Sequence, residues 1–378
     1  MRGQVPPFIV MDVMREANNL ETKGRDILHL EVGQPGTGAP KGVIDCISKK
    51  ISEQLGYTDA FGLRQLRVRI AQHYLDYYNL TVAADRIAIT TGSSAAFVLS
   101  FVAAFDPGET VAIVSPGYPA YRNILTSLGL TVAEISVGPE TNFELTLDLL
   151  EAIPGPIDGL IIASPSNPTG TMISKDHLEK ICHYCFSKNI RLVSDEIYHG
   201  ITFGDIAQTA LKFNNNSIIV NSFSKYFSMT GWRVGWCVLP EDLIRPVECL
   251  SQNFYISAPT LSQYGALAAF GCTEELELNV KRYAINRKIL LQALPKAGFS
   301  ELATTDGAFY IYANIEKFDE KSPEFCSRTL NELGVAITPG IDFDPLNGAK
   351  YVRFSFSGRT EDIQEASRRL ISWYSQTK

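Results

Sequence analysis

Residues 218–236 read Ile218-Ile219-Val220-Asn221-Ser222-Phe223-Ser224-Lys225-Tyr226-Phe227-Ser228-Met229-Thr230-Gly231-Trp232-Arg233-Val234-Gly235-Trp236. The stretch opens as a buried-looking strand, turns polar, and passes through Thr-Gly into a second apolar run that carries Arg233. It places an amine, two serine hydroxyls and a guanidinium on one short loop. That set suits an imine-forming lysine beside a bound phosphate. A lysine among aromatic residues can also simply extend its amine to water, so the remainder of the chain has to supply the other parts.

Alternation of strand and helix dominates the chain after residue 86. Strands are expected at 86–90, 111–114, 132–137, 160–164, 218–222 and 233–239, with a further strand ending within 191–198, most of them apolar and followed by helical patterns. Repeated strand–helix units imply a parallel, doubly wound sheet with right-handed crossovers, an α/β fold. The polar clusters all fall at the C-terminal ends of these strands, where such sheets bind ligands. Gly92-Ser93-Ser94 opens an apolar helix directly after a strand, which offers backbone N–H groups and hydroxyls to an anion. Ser164-Pro165-Ser166-Asn167-Pro168-Thr169-Gly170 and Ser115-Pro116-Gly117-Tyr118-Pro119-Ala120-Tyr121 are turns at two further strand ends, and Asp195-Glu196-Ile197-Tyr198 ends a third. A cis bond before Pro168 is open.

Flanking regions read differently. Val10, Val13, Met14 and Ala17 recur at helical spacing in an N-terminal arm. Glu31 to Pro40 holds three glycines and two prolines and cannot be helix. A long helix is expected over 273–294, followed by an α+β region with strands at 308–313, 335–337 and 351–356. Arg353 lies in the last of these, with its head expected on the polar face.

The chain has 378 residues, long enough for two domains. Hydrophobic residues make up 45% and charged residues 20%, as in soluble globular proteins. A net charge of −7 gives no general affinity for nucleic acid. The N-terminus is a poor signal peptide, and no run of about 18 apolar residues predicts a membrane span. Seven cysteines are scattered. Cys182 and Cys185 have C-x-x-C spacing but no second pair, so half-buried helix cysteines over 175–188 are expected rather than a metal site. The implied setting is reducing and cytoplasmic.

S-F-S-K-x-F-S-M-T-G-W-R-x-G-W resembles the lysine segment of class I aminotransferases, which use pyridoxal 5′-phosphate (PLP), and the likeness extends over about residues 31–357. It implies fold type I: a large domain with a mostly parallel seven-stranded sheet sandwiched by helices, plus a smaller α+β domain. The expected division is 36–284 for the large domain, with 1–35 and 285–378 forming the small domain and arm. In this family Lys225 would hold PLP as an imine and act as the base at the substrate Cα. Asp195 would pair with the pyridine nitrogen, and Asn167 and Tyr198 with the phenolic oxygen. Tyr118 would stack on the ring, although Tyr121 competes for that assignment. Gly92, Ser93, Ser94, Ser222 and Arg233 would hold the phosphate, with Tyr57 of the Y-x-x-x-x-G-x-x-x-L-R segment reaching the phosphate of the other subunit in a homodimer. Arg353, Asn167 and the Gly33 backbone would hold the substrate carboxylate. Gly307-Ala308-Phe309-Tyr310 looks like the family's G-G-x-F variant, with Ala308 for the second glycine.

The implied reaction moves an amino group between an L-amino acid and a 2-oxo acid. A carbon–sulfur β-lyase and an aminocyclopropane-carboxylate-synthase-like enzyme share nearly all these residues. The aminotransferase-like sensor domain of some bacterial regulators is a non-enzymatic alternative, but those carry an N-terminal DNA-binding module, and about 30 residues precede Gly33 here. Ser94 stands where some acid-handling relatives place a Lys, which together with Tyr118 and Tyr121 points to uncharged or aromatic amino donors over aspartate.

Overall fold

The computed structural model describes residues 4–376. Twelve strands follow one another: β1 (Leu28–His29), β2 (Ile87–Thr90), β3 (Thr110–Ser115), β4 (Thr131–Ser136), β5 (Gly159–Ala163), β6 (Arg191–Asp195), β7 (Ile218–Ser222), β8 (Gly235–Val238), β9 (Tyr310–Asn314), β10 (Val335–Ala336), β11 (Thr338–Pro339) and β12 (Tyr351–Ser355). Seven of them form one sheet in the order β2-β8-β7-β6-β5-β3-β4. All neighbours are parallel except β8, which runs antiparallel to both β2 and β7.

Strand composition explains this layer. β5 reads Gly-Leu-Ile-Ile-Ala and β7 Ile-Ile-Val-Asn-Ser, continuous apolar runs suited to burial on both faces. Successive side chains pack into opposite cores. Leu160, Ile162, Leu192 and Ile219 belong to one cluster, and Ile161, Val193, Ile218 and Val220 to the other. Helix Lys175–Ser187 covers one face, and Cys182 and Cys185 lie on its inner side. Both are fully buried, at 0% exposure. They are more enclosed than the half-buried expectation because their helix face packs directly on the sheet.

A third core gathers the remaining strands. β9, β11 and β12 form an antiparallel sheet, and β1 pairs with β10 across more than three hundred residues of chain. Helix Thr273–Ala293 joins the two regions: Leu276 packs in the core of the large sheet, Tyr283 and Leu290 in that of the small one. Val352 and Phe354 pack in this small-sheet core and Arg353 lies on the other face of β12, as the alternation implies. Its side chain is 2% exposed, because that face meets the turn after β5, where Nη1 donates to Asn167 Oδ1. Ala308 takes φ +56°, the left-handed conformation that its motif's glycine adopts without strain. The bonds before Pro116, Pro165 and Pro168 are cis. No helix among the described residues is long and apolar enough to cross a membrane.

Candidate active site

The strand ends of the large sheet and one face of the small sheet enclose a cleft of about 250 Å³. Gly33, Ser93, Ser94, Tyr118, Asn167, Asp195, Tyr198, Lys225, Arg233 and Arg353 all line it. Sequence reasoning singled out each of these from segments scattered over 320 residues, and the fold brings them together. Tyr57 lies elsewhere, 82% exposed on the surface. Ser222 is buried one hydrogen bond behind the cleft: its Oγ donates to Ser224 Oγ at 2.9 Å, and Ser224 faces the opening.

Lys225 follows β7 and turns into the cleft, where Nζ donates to Gly33 O at 2.6 Å. The residue keeps partial exposure through the opening, yet protein surrounds the amine. Burial, with the guanidiniums of Arg353 and Arg233 adding to it against the opposing pull of Asp195, brings its pKa down to about 8. About a tenth of the amine is therefore in the base form at pH 7, far more than at lysine's ordinary value.

Asp195 ends β6. Oδ1 accepts from Ile197 N at 3.1 Å and Oδ2 accepts from the Tyr121 hydroxyl. Burial raises the carboxyl to about 6, and the hydrogen bonds with Tyr121 and Ile197 oppose that rise. Tyr121 therefore has a clear place, which separates it from Tyr118. The latter stands half-buried at the cleft edge, edge-on to Phe8 with ring centroids 5.7 Å apart.

At one end of the cleft, helix Gly92–Ala104 begins without a side-chain cap on its first amides. Gly92 sits at φ +73°, and a Cβ there would come 2.5 Å from Arg233 Nη2. Only glycine lets the guanidinium lie against this helix start. Arg233 itself is left-handed, φ +50°, and donates to Thr230 O at 3.1 Å. Uncapped N–H groups, Ser93, Ser94, Ser224 and a guanidinium make a cradle for an anionic group.

Arg353 occupies the other end. Nη1 donates to Asn167 Oδ1 at 2.7 Å, and Nη2 to Glu31 O and to Thr338 Oγ1. Its Nε is buried with no hydrogen-bond partner. A buried, incompletely satisfied guanidinium that lines a cleft is suited to receive a carboxylate. Tyr310 was not singled out as a site residue. Its ring lies 4.4 Å from the Arg353 carbon, and its hydroxyl is 2.7 Å from that of Tyr198. The only hint was its position at the end of Gly-Ala-Phe-Tyr. Phe8, Val10, Met11 and Val32 complete the walls with apolar side chains. No cluster of three or more His, Cys, Asp or Glu among the described residues could hold a metal ion.

A cofactor with a phosphate, a carbonyl and a basic ring nitrogen matches this donor set. The helix-start cradle, the Lys225 amine and the Asp195 carboxylate stand along one cleft, and Gly92 keeps the cradle clear.

Comparison with known proteins is consistent with this arrangement. The sequence model of aminotransferase class I and II matches residues 25–370. The valine–pyruvate aminotransferase of Mycobacterium tuberculosis is 47% identical over 99% of this chain and 97% of its own length. A (5-formylfuran-3-yl)methyl phosphate transaminase of Methanocaldococcus jannaschii is 35% identical over 96% of this chain and 95% of its own. Among solved structures, an aminotransferase from Mycobacterium tuberculosis superposes with a TM-score of 0.97, covering 100% of this chain and 98% of that one at 47% identity. These relatives do not favour the lyase, aminocyclopropane-carboxylate-synthase or sensor readings. With a family model spanning nearly its whole length and such relatives, the chain belongs to the class I and II aminotransferases.

Proposed function

We propose that the protein binds PLP in this cleft through Lys225 and moves an amino group from an L-amino acid to a 2-oxo acid. One observation carries the reading: an amine depressed to about 8 shares a cleft with a buried carboxylate and two guanidiniums at opposite ends. Bound there, PLP supplies the carbonyl that condenses with amines and a protonated ring that draws electrons from the substrate Cα.

The chain's own groups then divide the work. Arg353 receives the substrate carboxylate, with Asn167 and the Gly33 backbone completing that end. Neutral Lys225 takes the proton at Cα and returns it to the other side of the exchange, a task that a lysine at its ordinary pKa would perform poorly at neutral pH. Asp195, held by Tyr121, keeps the ring nitrogen protonated, and Asn167 and Tyr198 serve the phenolic oxygen. Gly92, Ser93, Ser94 and Arg233 hold the phosphate, with Ser222 acting through Ser224, and Tyr118 stands against the ring.

Amino donors with uncharged side chains fit best. Phe8, Val10, Met11, Val32 and Tyr118 give the cleft apolar and aromatic walls, and the 47%-identical relative from Mycobacterium tuberculosis is named for valine. The reading extends to a homodimer in which Tyr57 serves the neighbouring cleft. Exposed Leu55, Tyr57, Phe254, Tyr255 and Ile256 support it, and hydrogen bonds from Thr260 to Gly56 and from Gln263 to Thr58 draw the two segments together. The cores on the two faces of the large sheet draw only on residues 43–276, and that of the small sheet mostly on residues 28–30 and 290–373, which supports a division into 36–284 and 1–35 with 285–378. Free thiols at all seven cysteines agree with a cytoplasmic setting.

Borohydride reduction of the PLP-loaded protein, followed by peptide mapping, tests the central claim. The label should map to Lys225. A label on any other lysine would remove the assignment.

A further inference from the structure

The arm helix Ile9–Glu21 lines the cleft with Val10 and Met11 and is held at both ends. At its start the Asp342 carboxylate accepts from Ile9 N and Val10 N, each at 3.1 Å. Near its end stands a group that none of the roles above employs. The His29 imidazole meets a carboxylate at each nitrogen: Nδ1 is 2.7 Å from Glu31 Oε1, and Nε2 is 3.2 Å from Glu21 Oε1. A neutral imidazole has one N–H and can serve only one of them, whereas the imidazolium serves both.

Glu31 makes the charge matter. Its side chain is 0% exposed, and Oε2 has no hydrogen-bond partner. Without a cation at His29 this carboxylate would be a buried charge left uncompensated. The backbone of the same residue accepts from Arg353 Nη2 and from Thr338 Oγ1 at 2.9 Å. Two residues on, Gly33 O accepts from Lys225 Nζ. His29 thus connects the end of the arm helix to the short segment that touches both Arg353 and Lys225.

We propose that His29 is a positioning residue whose imidazolium clamps Glu21 of the arm helix to buried Glu31, fixing the arm over the cleft. The charged groups that act on His29 are Glu31, on its own segment, and Glu21, on the helix packed beside it. The Glu31 hydrogen bond leads in holding its pKa up at about 9, against the effect of burial. A histidine raised in the folded state contributes its full stabilisation below its ordinary value of 6.5 and loses it as pH rises through about 9. The clamp therefore weakens over that window.

Hydrogen exchange of the purified full chain tests this directly, read on peptides from residues 9–21 and corrected for the intrinsic pH dependence of exchange. In the wild type, arm protection should fall at least about tenfold between pH 6 and pH 9.5. His29→Gln should show the low protection already at pH 6 and little further change with pH, while β5 to β7 stay protected. His29→Lys, which keeps a cation, should recover part of the loss. Glu21→Gln alters only the half-exposed outer carboxylate and should also loosen the arm, which covers the case of a His29 variant that does not fold. Equal arm protection in wild type and Glu21→Gln, or a pH-independent wild-type arm, overturns the proposal. A kinetic arm rests on the aminotransferase reading: His29→Gln should raise KM for the amino donor about fivefold with kcat within about twofold. A lowered kcat at unchanged KM counts against positioning. Exchange needs no turnover, so failure of the clamp and failure of the functional reading give different results.

Discussion

Replacing Gly33 by alanine probes how the cleft floor is built. A Cβ on Gly33 would fall within the Tyr310 hydroxyl and lie 2.6 Å from its Cζ. Ordinary carbon–carbon contact begins about 1 Å farther out, so the Tyr310 ring must move or the 31–34 segment must retreat. If the ring moves, its hydroxyl leaves Tyr198, now 2.7 Å away, and its face leaves Arg353, now at 4.4 Å. If the segment retreats, Gly33 O leaves the Lys225 amine. Overpacking costs about 1–3 kcal/mol and a lost buried hydrogen bond about 1 kcal/mol more, so Gly33→Ala should destabilise by about 2–4 kcal/mol. With an unfolding entropy of about 2 cal/mol/K per residue over 378 residues, that is a drop of roughly 3–5 °C in Tm. The assay is a double-mutant cycle with Tyr310→Leu, read by thermal unfolding of the cofactor-free protein and by kcat/KM. Leucine gives up the ring, so the alanine methyl meets little in its presence. The two changes should then couple by at least about 1 kcal/mol. Additive effects, or a Gly33→Ala protein as stable as the wild type, would refute the claim that close approach to Tyr310 is what demands glycine here.

Tyr121→Phe removes the hydroxyl that Asp195 accepts. A hydrogen bond to a charged group contributes about 1.5–3 kcal/mol, which would raise the Asp195 carboxyl one to two further units above its present value. Because that carboxyl already lies above its ordinary value, at about 6, the cofactor-free wild type should lose stability as pH rises from about 4 to about 6. In Tyr121→Phe the loss should continue to pH 7–8 (about one to two units higher), and parallel stability–pH curves for the two proteins would dismiss the bond. To test the proposed homodimer, Lys225→Ala and Tyr57→Ala proteins are mixed and allowed to exchange subunits. If Tyr57 crosses the interface, each mixed dimer has one site with both residues intact, and activity should exceed that of either parent. A dimer confirmed by light scattering without such complementation would confine Tyr57 to its own chain.

What could be read in advance follows from how the chain encodes each feature. The large sheet was legible because its strands are continuous apolar runs with helical patterns between them, a signal contained within each segment. Lys225, Asp195, Asn167 and Arg233 were legible for a related reason. Each sits beside a strand end in a short segment of distinctive composition, so the topology that collects the strand ends collects them too. Tyr121 and Tyr310 were not assigned because their significance lies in a partner far along the chain: the Tyr121 hydroxyl meets Asp195, and that of Tyr310 meets Tyr198. Spacing offers a partial clue for Tyr121, which is three residues beyond Tyr118 at the start of a helix and so on nearly the same side. Alternation within β12 identified the polar face that carries Arg353. The partners of that face, Asn167 and Glu31, lie far along the chain and are not encoded in the alternation. His29 carries no motif at all, and only the return of the arm helix brings Glu21 beside it.

The pairing of β1 with β10 also bears on how the protein is made. Leu28 meets Val335, so this pairing cannot form until residue 335 has left the ribosome. The seven strands of the large sheet lie between Ile87 and Val238 and can assemble well before that. Contacts between distant segments form late because they must first close a long loop. During synthesis the N-terminal segment must therefore wait, with β1 unpaired, while the large sheet consolidates beside it. A chain interrupted before residue 351 would carry Lys225, Asp195 and Arg233 on a formed sheet but have no Arg353 facing them. Emergence of residues 335–355 thus brings β10 to β1 and, in the same step, adds the second wall of the cleft.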